Sequence, residues 1–219
     1  MRAVDLSHVI FDGLSTYPGL PPPVIRDHLS RADSRRHYAP GTEFHIARIE
    51  MVANTGTYLD APSHRFEGMT DVSGLPLGSL ADLDGLVLRP ALDEGGRGIG
   101  PEALGAAEVR GKAVLVETGW DRHFGTPAYA VGHPFLTRDA ARRLADAGAA
   151  LVGIDSLNVD DTADGARPVH TILLGAGIPV VEHLTGLAAL PAAGFRFFAV
   201  PPRVRGMGTF PVRAFALVP

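Results

Sequence analysis

Asp60 and His64 set a carboxylate and an imidazole four residues apart in the run Asn54-Thr55-Gly56-Thr57-Tyr58-Leu59-Asp60-Ala61-Pro62-Ser63-His64. Two more groups of the same chemistry lie far downstream, His170 and Glu182. Imidazole nitrogen and carboxylate oxygen are the ligand types of an open zinc, manganese or iron site, provided they are deprotonated and oriented by neighbours. The chain has no cysteine, which excludes disulfides, thiolate metal sites and cysteine nucleophiles. A serine hydrolase elbow, Gly-x-Ser-x-Gly, is also missing. Spacing by itself does not separate a ligand set from ordinary loop residues, since a lone His or Asp in a loop usually serves a turn.

The elements that would have to bring these groups together are only partly legible. Gly56 and Pro62 make 54–64 a poor helix and a rigid loop. A strand over 44–53 delivers the chain into it. Residues 3–10 read as a short buried strand, 86–88 as another, and 65–85 mostly as connection. Pro18, Pro21, Pro22 and Pro23 force an extended path. That path is either a plain surface connection or a rigid rim reaching toward a partner subunit. Residues 26–43 are polar and arginine-rich, suiting a solvated arm.

Farther on, 95–100 is a glycine-rich turn without the pattern of a phosphate loop, and 101–109 begins a short helix at Pro101. Residues 113–118 are the clearest buried strand, and 121–136 a long loop. Thr137 caps a helix over 137–147, which Gly148 stops. A strand over 149–154 then completes a βαβ unit. Residues 157–167 form a polar loop, 168–174 a short helix, 178–181 a strand ending at Glu182, 187–193 a turn or helix, and 195–200 a strand. A turn over 205–211 leads to a last strand at 212–217.

Composition bounds the rest. The chain has 219 residues, 46% of them hydrophobic, and a net charge of −4. It is large enough for one domain with a sizeable core, and the expectation is a single domain over 1–219. Lys112 is the only lysine, and no face or run concentrates the basic residues, so no nucleic-acid footprint is expected. No apolar run reaches membrane-spanning length and the N-terminus lacks a signal peptide's pattern, so a soluble cytoplasmic protein is expected.

Across most of its length the sequence resembles the metal-dependent cyclase-like hydrolases, the family of bacterial kynurenine formamidase and isatin hydrolase. Their signature reads His-x-Gly-Thr-His-x-Asp-x-Pro-x-His, and Gly56, Thr57, Asp60, Pro62 and His64 match it. Asp5-Leu6-Ser7-His8, Thr118-Gly119-Trp120, Val152-Gly153-Ile154-Asp155 and the set His170, Leu173 and Glu182 follow in the family's order. The resemblance implies an α/β fold of the swivelling β/β/α type, a mixed sheet with flanking helices, and a homodimer or homotetramer; the proline-rich and arginine-rich segment 15–43 is the candidate for its contacts. It also implies hydrolysis of an amide, lactam or lactone of a small molecule by a metal-activated water.

Asn54 and Tyr58 stand where the family has its first two histidines, so the metal site those residues build is disabled. The ligands left for one zinc or manganese ion are Asp60, His64, His170 and Glu182, and His64 is either ligand or general base. Asn54 and Tyr58 are either remnants of a decayed site or an organised polar pair that donates to an oxyanion. Two other readings are a metal-free cyclase or dehydratase using Tyr58, His64 and Glu182, and a non-catalytic small-molecule binder.

Trp120 and Phe66, with Tyr129 and Phe210, are candidates to wall a planar substrate, against core packing as the common alternative. His45, His123, His133 and His183 are expected to be non-ligands, with His183 pointing away from Glu182 on a strand. His8 and Asp155 are candidates for support of the site, and Arg205 and Arg213 for a substrate carboxylate or surface ion pairs.

Overall fold

Apolar residues alternate between two faces along the central strands, and that alternation divides the core. The computed structural model describes residues 1–91 and 96–219. The strands among them are β1 Arg2–Asp5, β2 Val24–Leu29, β3 Ile46–Glu50, β4 Tyr58–Asp60, β5 Leu83–Leu88, β6 Gly98–Ile99, β7 Ala113–Val116, β8 Phe135–Leu136, β9 Leu151–Ile154, β10 Val180–Glu182, β11 Ala193–Phe198, β12 Thr209–Pro211 and β13 Phe215–Val218. The α-helices are α1 Arg31–Ser34, α2 Arg138–Asp146 and α3 Pro168–Gly175. Nine strands form one sheet in the order β1-β13-β11-β5-β7-β9-β10-β4-β12. β5, β7, β9 and β10 run parallel at its centre, and antiparallel strands flank them on both sides. The fold is therefore α/β with a mixed sheet, as expected.

On one face Leu83, Val87, Leu115, Leu151, Val181 and Leu59 pack with Phe195, Phe197 and the loops around Leu80 and Leu187. On the other face Val114, Val116, Val152, Ile154 and Val180 meet Ala140, Ala141 and Leu144 of α2 and Val169, Leu173 and Leu174 of α3. Period-two strands sort side chains to opposite faces, so this division also fixes where Tyr58, Asp60 and Glu182 point: to the helix-bearing side.

The βαβ unit runs through β7, α2 and β9, with Thr137 as N-cap, its Oγ1 accepting from the Ala140 amide at 3.3 Å. Gly148, at φ +77, ends the helix where a Cβ would be strained. The strand expected over 86–88 starts three residues earlier, and the helix expected over 101–109 is a single 3-10 turn, Pro101–Leu104. Of the glycine-rich turn at 95–100, Gly95 lies outside the described residues, while Gly98–Ile99 forms β6 beside β8.

Three expectations are overturned. The run 54–64 is not a loop throughout: Tyr58–Asp60 is a buried strand of the main sheet, because a neighbour on each side, β10 and β12, satisfies its backbone. The strand at 44–53 does not lead into the sheet. It is β3, exposed along its length, paired with β2 in a separate two-stranded ribbon whose two strands bracket most of the segment 26–43 expected to be a solvated arm. Likewise 205–211 is not all turn, since Thr209–Pro211 pairs with β4 as β12.

Candidate active site

β4 carries Tyr58 and Asp60 on one face and seats them opposite fixed partners. Tyr58 lies in register with Glu182 of β10 and Pro211 of β12, and Asp60 with Val180 and Thr209. After Asp60 the chain turns through a 3-10 helix, Pro62–His64, with proline at its start. The Ala61 amide donates to Gly208 O at 2.7 Å. A Cβ at Gly208 would stand 2.6 Å from His64 Cα, so only glycine lets the His64 turn close against β12. α3 supplies His170 from its first turn. Asp160 accepts the amides of Val169 at 2.6 Å and His170 at 3.0 Å, occupying donors that a helix start leaves unpaired.

Asp60, His64 and His170 converge. Each offers one ligand-type atom, and these atoms lie within 4.8 Å of one another. His170 Nδ1 is 2.7 Å from Asp160 Oδ2, so Nδ1 carries a proton for Asp160 and Nε2 faces the cluster. A second tie orders His64. Thr209 Oγ1 reaches Asp60 Oδ1 and also His64 Nδ1, the latter at 2.7 Å. The hydroxyl has one hydrogen for the carboxylate, so His64 Nδ1–H donates to Thr209 and Nε2 is again the free nitrogen. Asp60 Oδ2 is buried without a hydrogen-bond partner among the described residues, 3.5 Å from His170 Nε2. An orphaned carboxylate oxygen beside two free imidazole nitrogens is a donor set that fits a divalent cation.

Charge confirms how demanding this corner is. Burial alone would raise Asp60, but His170, His64 and the Thr209 hydroxyl outweigh it and hold the carboxyl below its usual range. Burial would lower His170, yet Glu182, Asp160 and Asp60 push it up to about 10. His170 is therefore protonated on both nitrogens in the ion-free protein, and Asp60, His64 and His170 would hold a cation only with the Nε2 proton of His170 lost.

Glu182, fourth in the expected ligand set, is beside this corner rather than inside it. Its Oε1 is 3.6 Å from His170 Nε2 but accepts the Val159 amide at 2.7 Å. Its Oε2 accepts the Tyr58 hydroxyl at 2.7 Å and the Asn158 amide at 3.3 Å. Burial raises Glu182 to about 7, with His170 opposing and Asp60 adding to the rise.

His183 corrects an expectation. It does not point away from the site, because β10 ends at Glu182 and His183 takes a left-handed backbone, φ +57. That conformation is uncommon for a residue with a Cβ, and it swings the ring back beneath Tyr58. Nε2 lies 3.1 Å from Tyr58 Oη and Nδ1 2.9 Å from Tyr129 Oη. Tyr58 gives its one proton to Glu182, so His183 Nε2–H donates to Tyr58 and Tyr129 O–H donates to Nδ1. The chain Tyr129, His183, Tyr58, Glu182 is buried from end to end. Desolvation pushes His183 down to about 3, so it stays neutral.

A cavity of about 440 Å³ opens above these groups. Its floor is Tyr58, Glu182, Asn158, His64 and His170, with Asn54 at the side, and its wall is Tyr17, Pro18, Gly19 and Leu20. Here the proline-rich segment is a rim. Trp120 and Phe66 do not line this cavity. Trp120 Nε1 is tied to Tyr129 O at 2.9 Å, and Phe66 packs on the helix-side core. Phe210 joins the other core.

His8 stacks on Phe124 with ring centroids 3.6 Å apart, one layer from the site. Asp155 is a strand-end cap, holding the amides of Thr118 and Gly119. Arg213 pairs with Asp5 at the surface, and Arg65 and Arg167, not Arg205 or Arg213, reach the cavity. Sequence reading missed Asp160, Thr209, Asn158 and both cavity arginines. Only Asp160 left a local trace, as an acidic residue ahead of a helix that starts at proline.

Comparison with known proteins places this nine-stranded mixed sheet and its His/carboxylate corner. The family model described as "Putative cyclase" matches residues 4–161. The chain belongs to that Cyclase family. It is 26% identical to the kynurenine formamidase of Salinibacter ruber over 98% of this chain and 96% of that one. It is 28% identical to the kynurenine formamidase of Bordetella avium, covering 97% and 96%. Its fold is similar to that of isatin hydrolase A from Labrenzia aggregata, with a TM-score of 0.81 at 23% identity over 99% of this chain and 93% of that one.

Proposed function

We propose that this protein is a metal-dependent hydrolase that cleaves a non-peptide C–N bond of a small amide or lactam. The observation that carries this reading is the Asp60, His64 and His170 corner, with two imidazoles ordered through Nδ1 and one carboxylate oxygen left without a partner. The relatives' formamidase name supports the bond type. Asp60, His64 and His170 would hold one zinc or manganese ion, with Glu182 adjacent. When bound, such an ion polarises a carbonyl and lowers the pKa of water.

The chain's own groups account for the proton transfers. Glu182, raised to about 7, is a competent base near neutrality. Water attacks the substrate carbonyl carbon and passes a proton to Glu182. A protonated Glu182 no longer needs Tyr58's hydrogen, so the phenol O–H turns to the developing oxyanion beside the Asn54 amide. The C–N bond then breaks, and Glu182 returns its proton to the leaving nitrogen. Asp160 and Thr209 hold the two imidazoles in place, and with Glu182 serving as base the free Nε2 of His64 is left to act as a ligand.

The exposed β2–β3 ribbon supports a homodimer or homotetramer assembled through 15–43, since a lone two-stranded ribbon is marginal in water. A cytoplasmic enzyme fits this reading. Among the described residues no helix is long and apolar enough to cross a membrane.

Metal analysis of protein purified without chelator, paired with turnover of aryl formamides and lactams, is the test. About one ion per chain and chelator-sensitive hydrolysis are expected. Turnover that survives chelation would replace this reading with metal-free acid–base chemistry by Tyr58 and Glu182. Ligand binding without turnover would make the protein a binder.

A further inference from the structure

His183 has no task in the proton transfers above, yet the chain adopts an unfavourable backbone to place it. Its φ of +57 is held from both sides: Thr57 Oγ1 donates to the His183 carbonyl at 2.6 Å, and the next amide, Leu184, donates to Ile154 O at 3.0 Å. The side chain is fully buried. The rings of Tyr58, Tyr129 and Phe124 enclose it, with centroids 4.9, 5.7 and 6.1 Å away. Packing of this kind keeps the imidazole from turning over, so each nitrogen keeps its own partner.

The hydrogens in this chain can be counted. Among the described residues the buried Tyr129 hydroxyl has one partner, His183 Nδ1 at 2.9 Å. A buried hydroxyl with a single partner spends its hydrogen there, so Nδ1 accepts and the one hydrogen of the neutral ring stays on Nε2. Nε2–H donates to Tyr58 Oη at 3.1 Å, and Tyr58 in turn donates to Glu182 Oε2 at 2.7 Å. Once Glu182 has taken a proton, its claim on the phenol hydrogen weakens. His183 offers no lone pair to take that hydrogen, so the direction left open is the cavity that Tyr58 lines. The other tautomer, with Nε2 bare, would accept the hydrogen and draw it away from the cavity.

We infer that His183, held as its Nε2–H tautomer by Tyr129, is a positioning residue that aims the Tyr58 hydroxyl at the substrate's carbonyl oxygen. This rests on the hydrolase reading for the reaction. It also decides between the two readings of position 58: the tyrosine there is one end of a built donor, not the remnant of a decayed site. His183 and Tyr129 touch no substrate and take no part in bond breaking.

Nitrogen-15 NMR of histidine-labelled protein, as purified and after zinc is added, reads the tautomer without turnover. A hydrogen on His183 Nε2 and a bare Nδ1 are expected, and a hydrogen on Nδ1 or a charged ring overturns the inference. Hydrolysis of an aryl formamide by the zinc-loaded protein reads the role. Asparagine suits a left-handed backbone, and its short amide stops level with Nδ1, so in His183→Asn Tyr129 keeps a partner while Tyr58 loses its donor. kcat should fall about three- to tenfold with KM within about twofold. His183→Gln, whose amide reaches the Nε2 position, should recover part of the loss. Tyr129→Phe should lower kcat about two- to fivefold alone and no further once His183→Asn is present. Likewise His183→Asn should cost nothing more in a Tyr58→Phe background. Losses that multiply independently in either pair overturn the inference, as does a loss carried by KM with kcat unchanged. Circular dichroism and melting temperature check that the variants fold, and if Tyr58→Phe is too unstable to assay, the Tyr129 pair decides. A parent protein that hydrolyses no amide defeats the hydrolase reading and this role with it, whereas a working parent with multiplying losses defeats the role of His183 alone.

Discussion

Tyr58→Phe removes a single oxygen that two buried groups depend on. The Tyr58 hydroxyl donates to Glu182 Oε2 at 2.7 Å and accepts from His183 Nε2 at 3.1 Å, and all three residues are within 2% of full burial. A hydrogen bond to a charged acceptor contributes about 1.5–3 kcal/mol, and an orphaned buried N–H costs about 1–3 kcal/mol. Asn158 still reaches Glu182, so the lower half of the first range applies. The expected loss is roughly 3–5 kcal/mol of stability, read by urea unfolding of chelator-treated protein, with m unchanged.

The substitution also acts on Glu182. Tyr58 favours the ionised carboxylate, so its removal should lift Glu182 above the value of about 7 that it has with the hydroxyl present. A group raised in the folded state contributes stability that is complete below its ordinary pKa of 4.5 and is lost as pH rises through the folded value. The gap between variant and parent should therefore widen from pH 5 to pH 8. Carbon-13 titration of the Glu182 carboxyl checks the direction independently. A stability loss under about 1 kcal/mol, or a Glu182 that titrates lower in the variant, would refute the hydrogen-bond assignment.

Four further outcomes follow from the same geometry. Asp60→Ala should abolish stoichiometric metal, and Asp160→Asn should weaken metal binding about 10–100-fold with the fold intact, both read by metal content and competition titration. Gly208→Ala should destabilise the protein and disrupt the His64 turn, because the added methyl meets His64 backbone and not a flexible side chain; differential scanning calorimetry and metal content test it together. Stability of the metal-free protein should change little between pH 6.5 and 4.5, where Glu182 and Asp155, raised to about 7 and about 6, gain as pH falls while His183 and His8 lose. Below 4.5 it should fall, because the Glu182 gain is complete while His183, pushed down to about 3, stays neutral in the fold and is charged in the unfolded chain. A flat profile to pH 3 in denaturant melts would contradict the burial of neutral His183.

The sequence by itself determined the central βαβ unit, since a β-branched run, a threonine-capped amphipathic helix and a second apolar strand follow one another locally. Through motif order it also determined the family and the grouping of Asp60, His64, His170 and Glu182 in one neighbourhood. Those signals are local patterns or covalent spacings. Only the tertiary structure decided that 58–60 is a strand, because its ladder partners lie over a hundred residues away. The pairing of Thr209 with both Asp60 and His64, and the use of Tyr58 to hold Glu182 beside the metal corner rather than in it, depend on strand register that no local window contains. The turn of His183 into the site came from one left-handed residue at a strand end, which defeats the alternation rule that strand reading relies on. The two arginines of the cavity wall were invisible for a related reason: their types are common, and only the folded chain shows that they line the cavity with no carboxylate partner among the described residues.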